Sequence, residues 1–141
     1  DGEFIFQFGR SGCEEGEFKR PSGVTVDKDG DIYVADRGNN RVQLFGSDGR
    51  FVELFIGDAT LGNQAYNYMV TQVTALRLRE MTSLEPQKRL RKPRSVRVDD
   101  HGRMYVPDYE TFRVQVYQKQ AVPLSEDQIA APVRSRKLLT I

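Results

Sequence analysis

The chain has 141 residues, a length that suits one ordinary domain with a hydrophobic core. Its formal net charge of +1 favours neither a nucleic-acid nor a membrane partner, and its single cysteine excludes an internal disulfide framework and a zinc site built from cysteines. No apolar run approaches the roughly 18 residues that a membrane-spanning helix needs, so no transmembrane segment is predicted.

Four short strands are predicted in the first third of the chain. Apolar and polar residues alternate around Val24 and Val26, as in a strand with one buried face. Further strands are expected at 32–35, 42–45 and 51–55, with turns at 27–30, 38–40 and 47–49. Four short antiparallel strands separated by regular turns are typical of a β-sandwich or of one blade of a β-propeller.

The same pattern recurs 72 residues later without a gap. Residues 18–45 read FKRPSGVTVDKDGDIYVADRGNNRVQLF, and residues 90–117 read LRKPRSVRVDDHGRMYVPDYETFRVQVY. A shorter match joins DGEFI at 1–5 to DGRFV at 48–52, so the chain is expected to open on the last strand of another blade.

The first window resembles the NHL repeat. It follows almost completely the pattern P-x-G-V-x-V-D-x-x-G-x-I-Y-V-A-D-x-x-N-x-R-V-Q-x-F, whereas the second window departs from it at Ser95, Pro107 and Thr111. The resemblance implies an all-β fold of four-stranded antiparallel blades, usually about six of them in a complete propeller.

The resemblance also implies a role for a repeated acid–base pair. Asp36 with Arg41, and Asp108 with Arg113, are expected to tie the second strand of each blade to the third. Because the pair recurs in both copies, we interpret these four residues as structural blade pairs rather than as catalytic groups.

The connection between the two copies carries an insertion. From Gly57 to Pro93 it spans 36 residues, against 12 from Gly9 to Pro21. Apolar residues at helical spacing predict a helix near 60–82, followed by a turn near 84–91.

Four segments are therefore expected. Residues 1–57 contain the last strand of a preceding blade and the first full blade, 58–92 a helical basic insertion, 93–119 the second blade and 120–141 an extended tail. Two blades do not close a ring, because propellers have roughly four to eight. The chain is expected to be the C-terminal part of a longer propeller, a component of a ring completed by its own copies, or a subunit docked on a larger assembly.

Positive charge is concentrated at the end of the insertion, where residues 77–97 contain eight basic and two acidic side chains. The candidate partner-binding residues are Arg77, Arg79, Lys88, Arg89, Arg91, Lys92 and Arg94. A basic patch suits RNA or an acidic surface, and some NHL propellers bind RNA. No aromatic residue lies within this run to stack on bases, so the sequence favours a solvated basic face over a nucleic-acid site.

The chain offers little for catalysis or metal binding. His101 is its only histidine, and no nucleophile triad, phosphate loop or dinucleotide motif is present. Asp27, Asp29 and Asp31 lack the glycine placement and downstream glutamate of an EF-hand, so they predict a turn rather than a calcium loop. No catalytic, cofactor-binding or metal-binding residue is predicted, and no cofactor.

These features predict a non-catalytic binding or scaffold module that contacts proteins or its own copies within a larger assembly. The alternatives are part of an NHL-propeller lyase or lactonase with its active site in other blades, and an RNA-binding NHL propeller. Because bacterial NHL proteins are often extracytoplasmic, the resemblance favours that compartment.

Overall fold

The computed structural model describes residues 2–58 and 88–120. In these two ranges the chain is all-β, as expected, with one short 3-10 helix, η1. The strands are β1 Arg10–Ser11, β2 Glu17–Phe18, β3 Pro21–Val26, β4 Ile32–Asp36, β5 Arg41–Phe45, β6 Phe51–Phe55, β7 Arg97–Val98, β8 Arg103–Asp108 and β9 Arg113–Gln118, and η1 is Arg37–Asn39. The helix predicted near 60–82 and the tail from 121 onward lie outside the described residues.

Strands β3 to β6 form the first blade, an antiparallel sheet in the order β3-β4-β5-β6 that confirms the four predicted strands. Gly30 and Gly49 have φ values of +87° and +79° in the turns before β4 and β6, a conformation that favours glycine. Alternate residues of a strand point to opposite faces, so Val34 and Asp36 share one face of β4 and Tyr33 the other.

Strands β7 to β9 form the second blade, an antiparallel sheet in the order β7-β8-β9. Its register repeats that of the first blade, since Asp108 lies opposite Arg113 as Asp36 lies opposite Arg41. In the described part of the chain, no strand pairs with the outer edge of β9.

The hydrophobic core lies between the two blades. It contains Tyr33, Ala35, Val42 and Leu44 from the first blade and Leu90, Val96, Met104 and Val106 from the second. The blades approach closely at Gly23, where an added Cβ would lie 2.8 Å from the Cα of Ser95. A side chain at residue 23 would therefore push the blades apart.

Phe8 repeats the packing of Phe55. The Phe8 ring lies 4.8 Å from that of Phe45, and the Phe55 ring lies 5.2 Å from that of Tyr117, which is the residue equivalent to Phe45. Residues 2–9 pair with no sheet, but their end occupies the place that the outermost strand of a preceding blade would take.

Candidate functional site

A buried carboxylate organises one end of the first blade. The Oδ1 atom of Asp36 accepts the backbone N–H of Lys19 at 2.7 Å. Its Oδ2 atom accepts hydrogen bonds from Asn39 at 2.8 Å, Arg41 at 2.9 Å and Gln43 at 3.2 Å. Each of these donors compensates for the removal of the carboxylate from water.

The second blade repeats this network in a looser form. Asp108 accepts the backbone N–H of Arg91 at 2.6 Å and the hydroxyl of Thr111, the equivalents of Lys19 and Asn39. The Nε atom of Arg113 lies 3.6 Å from Asp108 and finds no hydrogen-bond partner among the described residues. Both expected acid–base pairs are thus brought together, but the second has weaker geometry.

The acidic turn of the first blade surrounds a lysine from the end of the second. The ammonium of Lys119 lies 2.7 Å from Asp27, 3.0 Å from Asp29 and 2.7 Å from Asp31. Burial opposes the positive charge, but the hydrogen bonds to these carboxylates outweigh it and raise the pKa of Lys119. The residues considered for a calcium loop therefore hold a side chain of the protein.

Within residues 2–58 and 88–120, no group of three or more histidine, cysteine, aspartate or glutamate side chains has a geometry suited to a metal ion. His101 lies in the turn before β8, where its backbone N–H donates to Asp99 at 2.9 Å. In the same two ranges, no helix is both long enough and apolar enough to span a membrane.

An arginine stacks on an aromatic ring beside the second blade. The guanidinium of Arg94 lies 3.6 Å from the centre of the Tyr109 ring. Phe112 is 95% exposed and has a left-handed φ of 55°. These three residues, which we call the Arg94 cluster, line a cavity of about 380 Å³ together with Pro107 and Val114.

The candidate partner-binding residues do not all lie on one exposed surface. Arg77 and Arg79 lie outside the described residues. Lys88 and Arg89 are half-buried, and the carbonyl oxygen of Arg89 accepts a hydrogen bond from Arg113 of the second blade at 2.9 Å. The backbone N–H of Leu90 donates to the carbonyl oxygen of Ile56, at the end of the first blade, at 2.8 Å. The backbone at 88–90 is therefore part of the contact between the blades.

The remaining candidates are exposed at the end of the blades. Arg91, Lys92 and Arg94 all expose their side chains, and Lys92 forms an ion pair with Glu110. Tyr109 is distant in sequence but contacts Arg94 in space. An aromatic ring from outside residues 77–97 therefore lies beside the basic run in the folded chain.

The second blade exposes a surface whose equivalent is buried in the first. Val42 and Leu44 are 0% and 8% exposed, whereas Val114 and Val116, which stand 72 residues later, are 58% and 54% exposed. We call this surface the open face. It consists of Tyr105, Pro107, Val114 and Val116, the equivalents of the four residues that the first blade contributes to the buried core.

Residues 18–45 match the family model described as NHL repeat. The chain carries an NHL repeat at these residues. The second copy, at 90–117, shares with this NHL repeat the gapless alignment, the strand register and the buried aspartate network.

Several curated proteins contain sequence similar to parts of this chain. The chain is 52% identical over 48 residues to Protein lin-41 of Caenorhabditis elegans, which covers 34% of this chain and 4% of that protein. It is 29% identical over 130 residues to Protein brain tumor of Drosophila melanogaster, and this match covers 79% of this chain and 12% of that protein. It is 57% identical over 44 residues to E3 ubiquitin-protein ligase TRIM71 of Mus musculus, and this match covers 31% of this chain and 5% of that protein.

The chain thus spans 4–12% of the length of these three relatives. All three are animal proteins, so the comparisons lend no support to the bacterial extracytoplasmic compartment that the resemblance favours.

Proposed function

We propose that this chain is a non-catalytic NHL-repeat binding module that docks a protein partner on the open face of its second blade. The observation that carries this proposal is the exposure of Val114 and Val116, at positions whose equivalents in the first blade are buried. Apolar surface of this kind on a rigid scaffold is characteristic of interaction sites.

The energetics support a docking role. Full burial of one valine side chain contributes about 1.5–3 kcal/mol relative to full exposure. Val114 and Val116 are 58% and 54% exposed, so covering them contributes favourably to docking. Within residues 2–58 and 88–120 the outer edge of β9 is unpaired, so its backbone N–H and C=O groups can pair with an extended segment. A protein partner supplies both apolar side chains and a strand.

The polar networks give this surface its rigidity. We propose that Asp36 with Arg41, and Asp108 with Arg113, act as structural pairs that fix the third strand of each blade. In the second blade that strand is β9, which carries Val114 and Val116. The network therefore positions the open face without taking part in chemistry.

Site-specific photo-crosslinking in cells tests this proposal. A photoreactive amino acid replaces Val116 on the open face in one variant, and Lys28, in an exposed turn, in the other. We expect discrete crosslinked polypeptides, identified by mass spectrometry, from position 116 and none from position 28. No product at position 116, or the same products from both positions, would contradict a docking role for the open face.

A second candidate function is binding of single-stranded RNA, and the Arg94 cluster favours it. Arg94 and Tyr109 present a stacked cation and ring, and Phe112 presents an exposed ring beside them. Exposed Arg91 and Lys92 add positive charge. Aromatic rings beside basic side chains are the usual platform for unpaired bases.

Fluorescence anisotropy with a labelled single-stranded RNA tests this second candidate. We expect Tyr109→Ala to weaken binding by roughly 5- to 100-fold, the usual range for one stacked base, and Arg94→Ala to weaken it and reduce the dependence on salt. Arg50→Ala, in an exposed turn of the first blade, serves as the matched control. Equal affinity for duplex RNA, or equal loss in the control, would contradict an RNA site at this cluster.

A further inference from the structure

We propose that Tyr109 is a phosphorylation site for a protein tyrosine kinase and that Arg94 holds the phosphate once it is attached. Neither role follows from docking on the open face or from RNA binding, so the inference goes beyond both proposed functions. The reaction joins the hydroxyl oxygen of Tyr109 to the γ-phosphorus of ATP. The bond between that phosphorus and the β–γ bridging oxygen breaks, ADP leaves, and the phenolic proton passes to a base of the kinase.

The hydroxyl of Tyr109 is not bonded in the way of the other tyrosines that the structure describes. Tyr33, Tyr105 and Tyr117 each donate a hydrogen bond to a side chain of the protein, at 3.1, 3.1 and 2.8 Å. The hydroxyl of Tyr109 forms no hydrogen bond within residues 2–58 and 88–120, and the residue is 53% exposed. A kinase therefore reaches this hydroxyl without first breaking an internal hydrogen bond.

Tyr109 lies in a turn at the end of the second blade. The turn, residues 109–112, connects β8 to β9. The equivalent turn of the first blade, residues 37–40, stays partly exposed although the second blade packs beside it. A neighbouring blade therefore does not by itself bury a turn at this end. Exposed turns are also the segments of a folded chain that other enzymes reach most readily.

Positive charge borders this turn. The guanidinium of Arg94 lies 3.6 Å from the centre of the tyrosine ring. Lys92 forms an ion pair with Glu110, whose backbone N–H donates to the carbonyl oxygen of Arg91 at 3.2 Å. The hydrogen bond from Lys92, followed by the charges of Lys92 and Arg91, lowers the pKa of Glu110, although desolvation opposes it. The same cations would stabilise a phosphate on the neighbouring residue.

Arg94 is already placed to bind the phosphate. Its guanidinium stacks on the ring whose hydroxyl would carry the phosphate, and a guanidinium binds two phosphate oxygens through parallel hydrogen bonds. A phosphate adds a charge of about −2 at neutral pH. Because the guanidinium is the only charged group in the Arg94 cluster, the modification turns a positive cluster into a negative one. It would release a ligand that positive charge holds there.

Phosphorylation of the full chain by purified protein tyrosine kinases, with ATP, tests the site. Mass spectrometry locates the phosphate, and a synthetic peptide of residues 104–113 is the unfolded reference because it contains both Tyr105 and Tyr109. In the folded chain we expect phosphate at Tyr109 and little or none at Tyr105, whose hydroxyl donates to Asp99. In the peptide, which lacks Asp99, the preference for Tyr109 should shrink.

Two variants control for the position of the phosphate. Tyr109→Phe removes only the acceptor oxygen and should lose the phosphate from residues 104–113, whereas Tyr105→Phe should keep it. Circular dichroism establishes that both are folded. Absence of phosphate at Tyr109 in the folded chain, with every kinase used, would overturn the proposal. An equal distribution over Tyr105 and Tyr109 in the folded chain would do so too, because the kinase would then be acting on an unfolded segment.

Phosphorus-31 NMR of the phosphorylated chain tests the role of Arg94. A phosphotyrosine ordinarily loses its second phosphate proton at about pH 6. Arg94 favours the doubly charged form, so the titration midpoint should lie below about 6, and Arg94→Gln should raise it towards that value. Arg50→Gln, in an exposed turn of the first blade, is the matched control and should leave the midpoint unchanged. A midpoint that does not move in Arg94→Gln would overturn the assignment of Arg94 as the partner of the phosphate.

Discussion

The ammonium of Lys119, at the end of the second blade, lies 2.7 Å from the carboxylate of Asp27 in the first turn of the first blade. The two residues are 92 positions apart in the sequence, and neither belongs to a strand. Asp29 and Asp31 complete the acidic surroundings of the same ammonium. This contact joins the two blades through a charged group outside their shared apolar core.

Replacing Lys119 by methionine should lower the free energy of unfolding by about 1–3 kcal/mol, because three carboxylates lose their shared donor and repel one another. Urea denaturation measures the change. Lys28→Met, in the same acidic turn, removes an equal charge from an exposed position and should cost less than about 0.5 kcal/mol. Equal losses in the two variants would mean that the turn responds only to net charge.

Removing the charge of Asp36 should cost more stability than removing that of Asp108. Asp36→Asn leaves Arg41, whose side chain is 9% exposed, without its counter-charge, and such a loss typically costs about 3–5 kcal/mol. The side chain of Arg113 is 31% exposed and can be solvated, so Asp108→Asn should cost clearly less. Urea denaturation of both variants ranks them, and the reverse order would contradict the structural roles proposed here.

The pKa of the Asp99 carboxyl should lie well below that of an ordinary aspartate. The backbone N–H of Arg103 is the largest cause, partly opposed by burial, and with the Arg103 guanidinium it lowers the pKa of Asp99 from 3.8 to about 2. Because the folded pKa is the lower one, the stabilisation from Asp99 is present above about pH 4 and is lost as the pH falls towards 2.

Carbon-13 NMR titration of the Asp99 carboxyl measures this value directly. In Arg103→Gln the midpoint should rise but remain below 3.8, because the backbone N–H of residue 103 is retained. A midpoint near 3.8 in the unmodified chain would refute the assigned hydrogen bonds.

Phe112→Asn should stabilise the chain by about 0.5–1 kcal/mol. A bulky residue with a φ of 55° is strained, whereas asparagine adopts this conformation readily, as Asn40 does at the equivalent position. Phe112 is almost fully exposed, so its removal sacrifices little packing. Thermal unfolding should show a higher midpoint, and a lower one would mean that the ring stabilises the fold despite its exposure.

The strands of the two blades were predictable because they depend on local patterns. Alternation at Val24 and Val26, glycine at the turns and the 72-residue repeat locate the strands without knowledge of distant contacts. The match between DGEFI and DGRFV also predicted the position of Phe8. Phe8 and Phe55 follow these two segments at the same distance, and their rings pack in the same way.

The features that distinguish this chain were not predictable in the same way. The contact of Lys119 with Asp27 and that of Tyr109 with Arg94 join distant residues, and no periodic pattern marks either pair. The exposure of Val116 depends on what packs against it rather than on its own chemistry. Val116 lies 72 residues after Leu44, at the equivalent position of the second blade. Comparing these two positions was the signal that could have identified the open face.

Crosslinking from residue 116 in the Val114→Asp variant shows whether the open face is a docking surface. Val114→Asp places a charge next to the probe while leaving the buried core untouched. We expect the crosslinked products seen from position 116 to disappear in Val114→Asp while the chain keeps its free energy of unfolding. Unchanged products in a folded Val114→Asp variant would contradict it.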